Sequence, residues 1–102
     1  MKPENRILRD AGVEVTYSTG EVAGIFRKTR QWVLWSLKEG RFLDKDGEPL
    51  KPQMVADQYV WTFSDVRDAA VSCYNRRRMD INELKRIIRR LYRDTGEINE
   101  KY

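Results

Sequence analysis

The pattern of apolar and polar positions predicts two short helices near the start of the chain. Ser18 followed three residues later by Glu21 is typical of a capping box, in which both side chains accept hydrogen bonds from backbone N–H groups at a helix start. The apolar stripe behind it consists of Val22, Ala23, Ile25 and Phe26. Thr29 offers a second N-cap, and Gly40 suits the left-handed residue after a helix C-terminus. We therefore predict helices over residues 18–26 and 30–39.

The middle of the chain favours β structure. Pro49 and Pro52 disfavour helix, and Asp46-Gly47 is a tight-turn signal. The aromatic and β-branched run at residues 59–63 is strand-prone. We predict a β-ribbon whose legs are Arg41–Leu43 and Tyr59–Phe63, with a long tip of about fifteen residues between them.

Two further helices are predicted in the second half of the chain. Ser64 is the expected N-cap of the third helix, whose stripe is Val66, Ala69, Ala70, Cys73 and Tyr74. Asp80 is the expected N-cap of the fourth, with Glu83 as its capping-box partner and Gly96 as its end. The stripe of this fourth helix is Ile81, Leu84, Ile87, Ile88 and Leu91.

The predicted fold class is α+β and mostly helical, with two short helices, a β-ribbon and two further helices. Alternation at Val13, Val15 and Tyr17 indicates a short extended lead-in to the first helix. We expect an N-terminal arm at residues 1–15, one folded domain at residues 16–93 and a polar tail at residues 94–102.

Composition excludes several classes of function. The chain has 102 residues, no histidine and a single cysteine, Cys73, so a Cys/His zinc site, an internal disulfide and a histidine-based triad are excluded. No apolar run approaches the ~20 residues of a membrane span, and no secretory signal opens the sequence. No paired-carboxylate, phosphate-cradle or nucleophile motif is visible. We therefore expect a cytoplasmic protein that is not an enzyme and needs no cofactor.

The net charge of +4 is unevenly distributed. Residues 27–42 carry five bases and one acid, and residues 76–93 carry eight bases and two acids. Residues 43–75 between them carry three bases and six acids. Two basic blocks separated by an acidic one suit a polyanionic partner, although a solvated helix face gives the same composition.

Two short helices joined by a tight turn and followed by a β-ribbon form a winged helix–turn–helix. Tyr17–Ala23 (Tyr-Ser-Thr-Gly-Glu-Val-Ala) resembles the Tyr-x-x-Gly-Glu-(Val/Leu)-Ala opening of MerR-type DNA-binding domains. Trp61–Val66 is similar to that family's exit from the wing, and Met79–Leu84 to the start of its fourth helix. The stretch Glu21–Phe42 is also close to the small BldC-like regulators and phage excisionases. Arg27 stands where the family usually has glycine.

The resemblance implies a protein that binds double-stranded DNA with its second helix in the major groove. Its role would be that of a transcriptional regulator or a phage-type excisionase or architectural factor, in a bacterial or phage-infected cell. No membrane association and no small-molecule effector are expected. Only about eleven residues follow Leu91, and they are too polar for a coiled-coil seam. We therefore expect a monomer that can load head-to-tail on DNA, with the arginine-rich helix of one copy against the acidic ribbon of the next.

Helical geometry defines the candidate contact residues. If Val33 and Leu37 face the core, the opposite side of the second helix faces outward. The predicted DNA-binding residues are Lys28, Thr29, Arg30, Gln31, Leu34, Trp35, Lys38 and Arg41. In the fourth helix, basic residues recur at i, i+3, i+4 and i+7, which predicts a second surface for phosphates. Its proposed members are Arg76, Arg77, Arg78, Arg86 and Arg90.

Three features have alternative interpretations. Leu34 and Trp35 are large apolar residues on an outward face, so a protein-interaction module that binds a partner through them and the arginine-rich helix is the alternative function. The alternating acids Asp44, Asp46 and Glu48 lack EF-hand spacing, which favours a solvated turn over a Ca²⁺ site. Cys73 lies on an apolar helical face and is predicted to be a core residue.

Overall fold

The computed structural model describes residues 15–96 of the chain. Four helices and three strands follow in the order β1 (Thr16–Tyr17), α1 (Thr19–Phe26), α2 (Arg30–Lys38), β2 (Gln53–Val55), β3 (Gln58–Thr62), α3 (Phe63–Asn75) and α4 (Ile81–Thr95). The fold is a small, mostly helical α+β arrangement, which confirms the predicted class. Residues 1–14 of the predicted arm (1–15), including Val13 of the lead-in, and residues 97–102 of the predicted tail (94–102) lie outside the described residues.

Helices α1 and α2 begin and end where their local sequence predicts. Ser18 and Glu21 form the reciprocal capping box, with N–H to oxygen distances of 3.0 and 3.1 Å. Helix α1 ends at Arg27, which takes the left-handed conformation at φ +57°. Thr29 caps α2 by accepting a hydrogen bond from the Trp32 N–H. Gly40, at φ +67°, lies in a Schellman turn in which the next N–H reaches back to the carbonyl of Ser36.

One predicted N-cap and one predicted capping-box partner in the second half are wrong. The N-cap of α3 is Thr62, not Ser64, because Thr62 and Asp65 form a reciprocal capping box. Asp80 caps α4 as predicted by accepting from the Glu83 N–H. The side chain of Glu83, however, accepts from Arg86 instead of completing a capping box. Gly96 ends α4 in the left-handed conformation, as predicted.

The sheet differs from the predicted ribbon. Its strand order is β1-β3-β2, and both pairings are antiparallel, so β3 is the central strand. The partner of β3 is Gln53–Val55, and the prediction of Arg41–Leu43 as a leg is wrong. Two left-handed residues, Ala56 and Asp57, make a two-residue hairpin turn, which replaces the predicted long tip. Alanine rarely adopts the left-handed conformation, so the sequence at Ala56 does not predict a turn.

The predicted Asp46-Gly47 turn closes a separate small loop. Leu43 bridges to Pro49 across it, and Gly47 has φ +81°. The Asp44 carboxylate accepts hydrogen bonds from the backbone N–H groups of Asp46 and Glu48. Asp44 therefore organises the loop locally, which agrees with the solvated-turn interpretation. Within residues 15–96 no group of three or more potential metal ligands occurs.

The core is built around aromatic rings contributed by four segments. Trp61 of β3 is fully buried, and its indole N–H donates to Thr19 Oγ1 at the start of α1 over 3.1 Å. Its ring lies edge-on to that of Phe42, which also contacts Phe26 and Trp32 at centroid distances of 6.1 and 5.9 Å. The sheet, α1 and α2 are thereby joined through one continuous aromatic cluster.

Helix α4 closes the other side of the core. Ile87 and Leu91 are fully buried, and Leu84 and Ile88 pack against the core. Ile81 is 43% exposed, so its assignment to the buried stripe is wrong. It lies in the first turn of α4.

A buried polar group joins β1 to the end of α4. The Tyr17 hydroxyl donates to Asp94 Oδ2 over 3.2 Å, and Arg90 Nε donates to the same oxygen over 3.1 Å. Burial, followed by the neighbouring Asp94, raises the pKa of the Tyr17 hydroxyl above its usual range. Asp94 and Thr95 are buried within α4, so the first residues of the predicted tail at 94–102 belong to this helix.

The Tyr17–Asp94 contact generates a stability prediction. Tyr17→Phe removes the hydroxyl and leaves a buried carboxylate with one fewer donor, so the free energy of unfolding should fall by about 1–3 kcal/mol. Urea denaturation followed by circular dichroism measures this change. Tyr74→Phe, at an exposed tyrosine, is the matched control and should unfold at the wild-type midpoint. Equal midpoints for both variants would contradict a stabilising role for the contact.

Candidate nucleic-acid interface

Helix α2 presents the side that its sequence pattern predicts. Val33 is fully buried and Leu37 is half-buried, which confirms the orientation. Ser36 is also buried, a position that the apolar pattern did not reveal. The exposed side chains of this helix are Arg30, Gln31, Leu34, Trp35 and Lys38. No acidic residue occurs in α2, so its outward side combines cationic, amide and apolar groups.

The turn before α2 supplies two of the predicted contact residues. Lys28 is exposed, and its ammonium lies 5.6 Å from the centroid of the Trp32 ring. Thr29 is exposed as well, but its oxygen accepts from the Trp32 N–H as the helix cap. The hydroxyl oxygen of Thr29 therefore caps the helix, and its O–H remains able to donate to a ligand.

Arg41 and Trp35 form a stacked pair on the flank of α2. The Arg41 guanidinium carbon lies 4.4 Å from the Trp35 ring centroid, and Trp35 remains 47% exposed. Arg41 Nε is buried and has no hydrogen-bond partner among residues 15–96. The Schellman turn at Gly40 places Arg41 here, beside the buried Phe42. Both residues are among the predicted contact residues, but no sequence pattern indicates that they contact each other.

A cavity of about 410 Å³ opens beside this pair, and we call it the cationic pocket. Its lining comes from the turn before α2, from α2 itself, from the segment after α2 and from the end of α3. The lining residues are Lys28, Trp32, Trp35, Ser36, Arg41, Phe42, Cys73, Arg76 and Arg78. Four of them are cations and none is acidic. The pocket thus joins the first predicted basic block to the start of the second.

The three consecutive arginines at the turn between α3 and α4 do not all line the cationic pocket. Arg76 is the last cap residue of α3, and Arg77 adopts a left-handed conformation at φ +61°. Arg76 and Arg78 both line the cationic pocket, whereas Arg77 does not. All three are exposed. The sequence indicated a basic cluster here but not its convergence with Lys28 and Arg41.

Two arginines of α4 that were predicted to contact phosphate face internal partners. Arg86 donates to the Ile25 carbonyl over 2.7 Å and pairs with Glu83. Arg90 pairs with the buried Asp94. The Arg86 guanidinium joins α4 to α1, and Arg90 binds Asp94, which also accepts from Tyr17 of β1. Both arginines therefore already have acceptors within the described residues, and their contact with phosphate stays a prediction. Glu83 and Asp94 lie three and four residues from their arginines, which are spacings typical of ion pairs within a helix. The contact of Arg86 with the Ile25 carbonyl is not indicated by the sequence.

Cys73 lies at the buried end of the cationic pocket and is a core residue, as predicted. Burial raises the pKa of its thiol to about 11, while Arg76 and Lys28 act in the opposite direction.

The model of one protein family, described as a domain of unknown function (DUF7229), matches residues 7–94. The chain belongs to the DUF7229 family. The matched segment includes all of α2 and every residue that lines the cationic pocket. No curated protein and no solved structure matches the chain. Among residues 15–96 of this DUF7229 protein, no helix has the length and hydropathy needed to cross a membrane.

The raised thiol pKa generates a prediction for the folded DUF7229 domain. Because the thiolate is the reactive form, alkylation of Cys73 by iodoacetamide at pH 8 should be about 100-fold slower in the folded than in the urea-unfolded chain. In the folded protein, the rate should keep rising roughly tenfold per pH unit up to a pKa of about 11. Mass spectrometry measures the labelling, and the sequence contains no other cysteine. A rate that levels off near pH 9 would contradict this environment.

Proposed function

We propose that this DUF7229 protein binds duplex DNA as a winged helix–turn–helix domain of the MerR and excisionase type. One observation carries the proposal: α2 is fixed to the core by Val33 on one side and presents an acid-free, partly cationic side outward. A helix of about 10 Å in diameter fits the major groove of B-form DNA, which is about 12 Å wide. Helix α2 then acts as the recognition helix.

The arrangement of the first elements supports the proposal. Helices α1 and α2 pack against each other across the short turn at residues 27–29. Arg27 adopts the left-handed conformation at the position where MerR-type domains usually have glycine. The β2–β3 hairpin follows α2 and serves as the wing. This correspondence depends on the hairpin at Gln53–Thr62 rather than on the longer ribbon expected from the sequence.

The outward side chains of α2 match the chemistry of a major groove. Arg30 can donate two hydrogen bonds to a guanine edge, and Gln31 can pair with an adenine edge. Lys38, at the other end of the helix, suits a backbone phosphate. Leu34 can contact a thymine methyl group. Base contacts by Arg30 and Gln31 supply sequence preference, whereas phosphate contacts supply affinity.

The wing contributes little positive charge. Its tip residues Met54 and Val55 are each more than half exposed, and Asp57 is acidic. No lysine or arginine occurs between Pro52 and Gln58. Affinity for phosphates therefore comes from the basic groups around α2 and the α3–α4 turn. The protein acts as a small transcriptional regulator or a phage-type excisionase or architectural factor, and it performs no catalysis.

A second candidate function is docking of a partner protein on the outward side of α2. The exposure of Leu34 and Trp35, at 38% and 47%, favours it. The Arg41 guanidinium, however, covers one face of the Trp35 ring and gives that part of the surface a positive charge. A cationic surface is less suited than an apolar one to a general protein contact, and we therefore rank DNA first.

The DNA-binding proposal predicts a loss of affinity on mutation of Arg30. A preferred duplex is first selected from a randomised 20-base-pair library, and binding is then measured by fluorescence anisotropy. Arg30→Ala should weaken binding by about 1–3 kcal/mol and relax the preference at one base pair, because a bidentate contact is lost. Circular dichroism should remain that of the wild type, since Arg30 is exposed.

Lys45→Ala is the matched control, because it also removes one exposed positive charge but lies in the acidic loop. It should bind the selected duplex within about twofold of the wild type. If the library yields no preferred duplex and random duplexes do not bind at low salt, the DNA-binding proposal is wrong. Equal losses for the two variants would instead assign the effect of Arg30 to net charge alone.

A further inference from the structure

The cationic pocket contains an unmet hydrogen-bonding requirement. Arg41 Nε is buried without a partner among residues 15–96, although buried donors in proteins are nearly always paired. Leaving such a donor unpaired costs free energy comparable to a lost hydrogen bond to a charged group. An acceptor that enters the pocket removes this cost.

The charges around the pocket point to an anionic acceptor. Lys28, Arg41, Arg76 and Arg78 line one cavity whose lining contains no carboxylate. Within residues 15–96, none of these four cations takes part in an ion pair. By contrast, Arg67, Arg86 and Arg90 each pair with a nearby acid. The pocket therefore concentrates positive charge that the described part of the chain leaves uncompensated.

The aromatic walls hold the cations in place. The Arg41 guanidinium stacks on Trp35, and the Lys28 ammonium lies over the ring of Trp32. Because the N–H donors of a guanidinium lie in its plane, stacking on a ring leaves them free to bind a ligand at the edge. Arginine donors held in this way suit a tetrahedral oxyanion better than a single chloride ion.

We propose that the cationic pocket is a phosphate-binding site. Arg41 donates from Nε to a phosphate oxygen, and Lys28, Arg76 and Arg78 neutralise the phosphate charge. Its occupant, in an inference that rests on the proposed function, is a backbone phosphate of the duplex that α2 enters. Trp32, Trp35 and Ser36 lie on one flank of α2, next to its outward side. A DNA strand that borders the groove around α2 passes along this flank.

The first arm of the test measures phosphate binding without DNA. Sodium phosphate is titrated against sodium chloride of equal ionic strength, and the fluorescence of Trp32 and Trp35 reports occupancy. Arg41→Lys keeps the charge but removes Nε, and it should weaken phosphate binding about tenfold or more. The double variant Arg76→Gln/Arg78→Gln should weaken it similarly. Phosphate should also slow alkylation of Cys73 in the wild-type protein, because the thiol lies in the pocket.

The matched control is the double variant Lys85→Gln/Arg89→Gln, which removes the same charge from exposed positions of α4 outside the pocket. It should bind phosphate like the wild type. Circular dichroism shows that each variant is folded. If phosphate neither changes the fluorescence nor protects Cys73, or if the control loses as much affinity as the pocket variants, the pocket proposal is overturned.

The second arm identifies the source of the phosphate. Affinity for a 20-base-pair duplex of mixed sequence is measured at several salt concentrations. Loss of one phosphate contact lowers the slope of log affinity against log salt by about 0.9, so Arg76→Gln/Arg78→Gln should show this change relative to the control variant. If phosphate binds as expected but DNA does not bind, the pocket takes a free phosphorylated ligand and the proposed DNA function fails. If DNA binds and neither arm distinguishes the pocket variants, the pocket proposal fails alone.

Discussion

The buried indole of Trp61 sets the positions of the sheet and the first two helices relative to each other. It lies on the central strand β3, which pairs with both β1 and β2. Its N–H bonds to Thr19 at the start of α1, and its ring packs against Phe42. A buried indole N–H needs a hydrogen-bond acceptor, and the Thr19 hydroxyl oxygen is that acceptor. Loss of this contact would leave the buried indole N–H without an acceptor.

The same aromatic cluster determines the geometry of the cationic pocket. Phe42 is held between Trp61 and the ring of Trp32, and Arg41 precedes it directly. On the other side, the Ser72 hydroxyl accepts from the Leu43 N–H over 2.8 Å and lies 3.0 Å from the Leu43 carbonyl. The segment that carries Arg41 is therefore fixed to both α2 and α3. Because Arg76 follows Ser72 by one helical turn, the same contact positions the end of α3 beside Arg41.

Local features of the fold could be predicted from the sequence, whereas contacts between distant segments could not. The caps at Ser18, Thr29 and Asp80 depend on residues three positions apart, and all three are present. The outward side of α2 also follows from one short periodic pattern. The Ala56-Asp57 turn was missed because its first residue gives no turn signal, and strand β2 was missed with it. The Arg41–Trp35 contact and the pocket depend on tertiary packing that no spacing rule describes.

The arginines of this protein fall into two groups, according to whether their guanidinium groups have an acceptor within the described residues. Arg86 and Arg90 are accounted for by a helix-end carbonyl, by Glu83 and by a buried carboxylate. Concentrated charge without such partners is unfavourable, because like charges repel and a buried donor loses its hydration. The fold satisfies Arg86 and Arg90 internally and leaves Arg41 Nε unpaired beside three further cations. Binding of an anion there would therefore be favourable. The number and spacing of the arginines do not distinguish Arg86 and Arg90 from the cations around Arg41. The acceptors that each guanidinium group meets in the fold make this distinction.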